Sequence, residues 1–255
     1  MSTLLSKQQR AQSDEYHLPY HHFISFNPEK LTFQSYKRVM FALGYSLGNI
    51  LIFRELKKNN PKTWCDVGCG DGALISTLSN FLPSTNCQGI DYDEKAISLA
   101  RHISPKGNFV VADITNDQLS TFDAVTAVEV FEHIPPEFGD DFIRSLGRLV
   151  KKNGSLILTV PHKNQGMASK HYRHFTTREL SSILKANLPD FEIISAYGFN
   201  QKNWLENVNK GLLQTKHFFL EIPWLNKKRL SMQLNNLPAK ESKALQTLVH
   251  LKRTK

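Results

Sequence analysis

Between Thr63 and Gly72 the chain runs from a short, mostly apolar segment, Thr63-Trp64-Cys65-Asp66-Val67, straight into Gly68-Cys69-Gly70-Asp71-Gly72. A helical pattern follows over residues 73–81. Glycines at alternate positions let a backbone turn sharply and approach a ligand with no Cβ in the way. A strand, a glycine loop and a helix in that order put the ligand at the carboxyl edge of a sheet, against a helix N-terminus. A dinucleotide loop would space its glycines Gly-x-Gly-x-x-Gly, which is not the spacing here. Asp66, just ahead of the loop, would repel a pyrophosphate and suits a cationic ligand.

The alternation continues. Strands are expected at residues 87–91, 108–112, 122–128, 155–160 and 191–197, and helices at 94–102, 140–150 and 177–186. Thr176 or Thr177 is the expected cap of the last helix. Strands alternating with helices predict an α/β fold on a parallel sheet. The near-continuous apolar run 155–160 fits a strand buried on both faces. Asn153-Gly154 reads as the turn into it. Residues 35–58 read as a helix stopped by Asn59-Asn60-Pro61. Residues 1–30 are polar but rich in aromatics and histidine from Tyr16 to Phe23, so they are expected to pack on the domain or cover a pocket. Residues 198–240 break the rhythm. They carry Trp204, Phe218, Phe219 and Trp224, with a helix expected at 204–219, and read as an insertion before a last strand at 244–252. The expected division is an N-terminal cap and helix over 1–60 and an α/β domain over 61–255.

Three strand ends carry acids: Asp66, then Asp91 in Gly89-Ile90-Asp91-Tyr92, then Asp113 in Val111-Ala112-Asp113-Ile114. Asp91 lies about 20 residues past the glycines, the spacing at which an acid chelates ribose hydroxyls. An acid at Asp113 can accept from an adenine amino group, with Tyr92 and Ile114 as apolar walls. Each acid alone also fits a turn or a helix cap.

Together these residues resemble the class I S-adenosylmethionine-dependent methyltransferases. The likeness covers residues 64–175 and rests on the Asp-x-Gly-x-Gly-x-Gly loop, the two following acids, and an apolar strand leading into Glu129-Val130-Phe131-Glu132-His133. It implies a Rossmann-like, seven-stranded, mostly parallel sheet with helices on both faces, and S-adenosylmethionine as cofactor. By that match Gly68, Cys69, Gly70 and Gly72 line the methionine end, and Asp66 and Glu129 are counted among the cofactor-binding residues. Asp91 holds the ribose and Asp113 meets the adenine, with Tyr92 and Ile114 as its apolar walls.

Methyl transfer is an in-line displacement that needs positioning and, at times, a base. His133 is the candidate base, with Glu129 and Arg173 as catalytic partners. Glu129, Glu132 and His133 also offer two carboxylates and an imidazole within five residues. A similar Glu-x-x-Glu-His occurs in ubiquinone-pathway O-methyltransferases and small-RNA 2′-O-methyltransferases, where it implies a divalent ion such as Mg²⁺. His162, His171 and His174 are available to complete such a site. The alternative is a structural role for the motif in loop hydrogen bonds. Residues 170–176 resemble an element of small-molecule and glycan methyltransferases, in which Arg173 would pair with an acidic substrate group.

The net charge is +9, and residues 201–255 hold eleven Lys and Arg against three acids. That asymmetry fits an anionic partner: an acidic small molecule or glycan precursor, an anionic lipid surface, or RNA. The three cysteines form no CxxC pair, which fits a reducing cytoplasm. Nothing reads as a secretory signal or a bilayer span. The expected activity is O-methylation of a small molecule, sugar or glycan precursor. RNA ribose methylation and a non-catalytic role on the same fold are the alternatives.

Overall fold

A computed structural model describes residues 6–16, 26–33, 43–201 and 223–255. It opens with a short helix, α1 (Lys7–Asp14), and a two-strand hairpin, β1 (Phe26–Asn27) and β2 (Thr32–Phe33). Helix α2 (Leu43–Asn59) then leads into the alternating unit: β3 (Thr63–Val67), α3 (Ala73–Leu78), β4 (Asn86–Asp91), α4 (Glu94–Ile103), β5 (Asn108–Val111) and β6 (Phe122–Val128). It continues through α5 (Gly139–Leu149), β7 (Val150–Pro161), α6 (Thr177–Asn187), β8 (Phe191–Gln201), α7 (Pro223–Asn235) and β9 (Ala244–Arg253).

The seven long strands form one sheet in the order β5-β4-β3-β6-β7-β9-β8. Strands β3 to β7 pair in parallel, while β9 runs antiparallel to both β7 and β8. The chain order reverses between β3 and β6. At such a switch point the loops after neighbouring strands run in opposite directions and leave a crevice. Gly68 and Glu129 both lie there.

Each face of the sheet buries its own core. One joins α2, α3, α4 and α7 through Leu47, Ile50, Leu56, Leu74, Ile97 and Leu230, against Trp64, Ile157 and Leu248. The other joins α5 and α6 through Ile143, Leu146, Leu180 and Leu184, against Val125, Leu156 and Leu158. Full burial of a Leu or Ile is worth about 1.5–3 kcal/mol, so α2 is bound firmly to the sheet.

Several element boundaries differ from the sequence expectation. The 73–81 helix is α only to Leu78 and tightens into a 3-10 turn at Ser79–Phe81. The 155–160 strand starts earlier, at Val150, and takes the Asn153-Gly154 turn within it. Asn153 has φ +62°. A Cβ on Gly154 would lie 2.8 Å from the Lys151 carbonyl oxygen and 2.9 Å from that of Asp123. The irregularity matches the register shift between Phe122 and Ala124 in the β6–β7 pairing. Strand β8 continues past residue 197 to Gln201. The helix expected at 204–219, the aromatic stretch 17–23 and the start of the 35–58 helix lie outside the described residues. Thr176 caps α6, with Glu179 closing the reciprocal pair.

Candidate donor and acceptor site

Gly68, Gly70 and Gly72 have φ of +69°, +54° and +73°. At Gly68 the conformation is enforced sterically as well, because a Cβ would lie 2.5 Å from Val130 Cγ2. The loop is tied to β4: the amides of Gly68 and Cys69 both donate to the Ile90 carbonyl, at 2.8 and 3.1 Å. Asp91 completes the tie. Its Oδ2 accepts from the Gly70 amide at 3.0 Å and its Oδ1 from the Asp93 amide at 2.9 Å. Burial pushes its carboxyl up to about 6, against the pull of those amides. Each oxygen keeps a further lone pair, the acceptor arrangement a vicinal diol requires. Tyr92, next along, is 45% exposed.

Asp66 is placed differently from a residue facing a cation at the loop. It is buried, and its Oδ1 accepts from the Thr126 hydroxyl at 2.7 Å. Thr126 in turn accepts from Trp64 Nε1 at 2.9 Å. Burial pushes the Asp66 carboxyl up to about 7, and the Asp91 charge adds to the push. Cys69 is buried and its thiol is held far above the ordinary range, mainly by desolvation, so it is inert at neutral pH. Asp113 is exposed and caps its own turn: Oδ1 accepts from the amide and hydroxyl of Thr115, and Oδ2 from Asn116 Nδ2. Ile114 is buried in the core.

Past the switch point, Glu129 sits at φ +55°, a strained conformation for a side chain of its size, and its amide donates to the Thr159 carbonyl at 2.9 Å. Gln246 approaches its carboxylate and favours the charged form, while the nearby Thr159 hydroxyl is buried without a hydrogen-bond partner among the described residues. Asn200 Nδ2 donates to Gln246 Oε1 at 3.1 Å, which turns the Gln246 amide NH₂ toward Glu129. Desolvation nonetheless pushes Glu129 up to about 7, and its Oε1 has no partner. Glu132 is fully buried, neither oxygen has a partner, and its carboxyl is driven well up by burial and then by Glu129.

Beside Glu132 stand two imidazoles whose tautomers follow from their partners. His133 Nδ1 lies 3.1 Å from the Lys170 carbonyl and must donate to it. Its Nε2, 3.8 Å from Glu132 Oε1, therefore carries the lone pair. His174 Nδ1 donates to the Gln165 carbonyl at 3.2 Å, so its Nε2 accepts from His171 Nδ1 at 2.7 Å. That leaves the His171 Nε2 lone pair free as well. Desolvation holds His133 at about 4 and His171 at about 3, so both are neutral at pH 7. Ligand atoms of Glu132, His133 and His171 lie within 4.8 Å of one another. Glu129 is outside this group but electrostatically coupled to Glu132.

Arg173 is not brought to this cluster. Its guanidinium lies over the rings of Phe131 and Phe175, 4.6 and 5.1 Å from their centroids. It faces a surface groove shared with Lys163, His174 and Arg178. His162 pairs instead with Glu241, at 3.0 Å. Gln246 and Asn200 had no signal in the sequence. Gln246 approaches Glu129, with Asn200 behind it, because β9 inserts between β7 and β8.

Comparison with known proteins agrees with this geometry. A family model described as a methyltransferase domain matches residues 41–197. The ubiquinone biosynthesis O-methyltransferase of Nitrosomonas europaea is 34% identical over 112 residues, which is 41% of this chain and 46% of that protein. The chain thus spans about half the length of the curated relatives it matches. Among solved structures, the magnesium protoporphyrin IX methyltransferase of Synechocystis, with bound S-adenosylmethionine, aligns over 99% of this chain and all of its own, with TM-score 0.59 at 16% identity. A plantazolicin methyltransferase in complex with S-adenosylhomocysteine aligns over 86% of both chains, with TM-score 0.56 at 16% identity. A family match over more than half of the residues, on a seven-stranded sheet with its glycine loop at the switch point, places this chain in the methyltransferase-domain family.

Proposed function

We propose that the carboxyl edge of β3, β4 and β6 binds S-adenosylmethionine and that the chain methylates an oxygen of a small molecule. The observation that carries the reading is Asp91. Its carboxylate is buried, is pinned to the glycine loop through the Gly70 amide, and keeps lone pairs for a ribose diol. Gly68, Cys69, Gly70 and Gly72 would hold the methionine end. Asp66 would act from below the loop, through Thr126. Asp113 would fix the turn that carries Ile114 beside the adenine. When bound, the cofactor supplies a methyl group on a sulfonium, open to in-line attack.

On the acceptor side, His133 has a free Nε2 lone pair and is neutral at pH 7, so it is able to take a proton from an acceptor hydroxyl. Glu129 would orient the acceptor or the methionine ammonium, and Arg173 would act from the rim by holding Phe131 and Phe175. The likeness to ubiquinone biosynthesis O-methyltransferases supports a phenolic or catecholic acceptor.

A divalent cation fits the same cluster. Two partnerless carboxylate oxygens on a fully buried Glu132, facing two imidazoles with lone pairs, are costly without a proton or a cation. Glu132, His133 and His171 would hold it, with Glu129 alongside. One carboxylate and two imidazoles suit a first-row ion such as Mn²⁺ better than Mg²⁺, which prefers oxygen donors. Such an ion would lower the pKa of a bound acceptor hydroxyl.

Calorimetric titration with S-adenosylhomocysteine tests the donor site. Saturable binding that Asp91→Ala weakens at least tenfold is expected, and a chain that ignores the ligand refutes the reading. Methyl transfer from labelled donor to a panel of catechols, phenols and sugars then tests the acceptor class. Transfer to RNA alone, with a steep salt dependence of RNA binding, overturns the small-molecule assignment.

A further inference from the structure

Helix α1 lies across the loop that follows β7. Ser6, its N-cap, places its hydroxyl 2.5 Å from the Tyr172 hydroxyl. At the other end Glu15 pairs with Lys170 at 2.5 Å. The same loop wraps the acceptor cluster: the Tyr172 amide donates to the Glu132 carbonyl at 2.9 Å, and the Lys170 carbonyl accepts from His133. Glu132 belongs to the segment that packs on the glycine loop, where a Cβ on Gly68 would lie 2.5 Å from Val130 Cγ2. One side chain thus connects α1, the loop over the acceptor cluster and the lip of the donor cleft.

The way α1 is held is unusual for an element in such a position. Its sequence, Lys-Gln-Gln-Arg-Ala-Gln-Ser-Asp, has no apolar side chain larger than Ala11, and the residues it buries are Gln12 and Ser13. A helix of eight residues does not persist in water on its own propensity. Its capping box, in which Ser6 and Gln9 satisfy each other's amides, holds the first turn. Among the described residues, its inner face buries no apolar side chain. Among the described residues, its docking uses the Ser6–Tyr172 hydrogen bond, the Glu15–Lys170 ion pair and polar contacts of its inner face. Exposed ion pairs and single hydrogen bonds are each weak in net terms, so these contacts are of a size that a bound ligand can bias. The apolar α2, by contrast, is fixed to the core.

We propose that Tyr172 is a donor-site residue, set beside the segment that packs on the glycine loop, and that α1 is a polar lid which holds it there. The proposal rests on the assignment of the donor site above. Linkage gives it a signature that a merely structural helix lacks: if docking of α1 strengthens cofactor binding, the cofactor must strengthen docking by the same factor.

Two measurements on the full chain test this. In the first, trypsin cleavage at Lys7 and Arg10 is followed with and without saturating S-adenosylhomocysteine, with slower cleavage expected when it is bound. In the second, the dissociation rate of S-adenosylhomocysteine is measured by stopped flow for wild type, Tyr172→Phe and Ser6→Ala. Removing one hydrogen bond should speed release by about 2- to 10-fold in either variant, and the double variant should be no worse than the more affected single. Glu15→Lys should also speed release, with partial recovery on adding Lys170→Glu. Release rates equal to wild type in both single variants, or cleavage that the ligand does not change, overturn the lid. A wild-type chain that does not bind the ligand at all refutes the donor-site reading instead.

Discussion

The Asp66→Asn substitution isolates the electrostatic cost of the site. Asp66 is fully buried, and its carboxyl is pushed from an ordinary 3.8 up to about 7, first by desolvation and then by Asp91. Between those two values the folded protein holds a proton that the unfolded chain has released. The folded state therefore binds more protons, and stability falls as pH rises through that window. About three units at 1.36 kcal/mol each give a penalty of about 4 kcal/mol above pH 7. Near pH 5 only about 1–2 kcal/mol of it has developed, because the unfolded carboxyl is little more than one unit past its own value. Asparagine never incurs this penalty and its carbonyl oxygen can still accept from Thr126, but its amide NH₂ lacks a partner, at about 1–3 kcal/mol. That cost is independent of pH and cancels in a difference. Urea denaturation of both proteins at pH 8 and pH 5 should show the variant gaining about 2–3 kcal/mol relative to wild type on going from pH 5 to pH 8. A stability difference that is the same at both pH values would refute the reasoning.

Three further outcomes follow from other parts of the site. Gly68→Ala must place a Cβ against Val130 at φ +69°; a loss of about 1–3 kcal/mol in chemical denaturation is expected, together with weakened binding of S-adenosylhomocysteine. Millimolar Mn²⁺ should raise the melting temperature of the wild type, and Glu132→Gln or His171→Ala should abolish that rise; an equal rise in the variants places the ion elsewhere. Thr176→Ala removes the side chain that accepts from the Glu179 amide and should cost about 1 kcal/mol, read as a lower urea midpoint with binding of S-adenosylhomocysteine unchanged.

The ends of β3 and β6 and the cap of α6 were legible in the sequence because they depend on local signals: apolar runs, glycines and a Thr-x-x-Glu box. The positions of the three strand-end acids were legible for a related reason. In a parallel sheet each strand end delivers its next residue to the same edge, so Asp66, Asp91 and Asp113 can be ordered along that edge without coordinates. The sequence did not determine what each acid does there. Packing turned Asp66 inward onto Thr126, 60 residues away, left Asp113 to cap its own turn, and gave Asp91 alone the tie to the loop. The acceptor side depended still more on tertiary structure. His171 joins Glu132 and His133 from the loop after β7, Gln246 reaches Glu129 because β9 runs antiparallel between β7 and β8, and Ser6 meets Tyr172 across 166 positions. Sequence periodicity records which face of an element is apolar, and so it predicts the sheet. It carries no term for contacts between elements far apart in the chain, and those contacts set the partners of Asp66 and of the Glu132, His133 and His171 cluster.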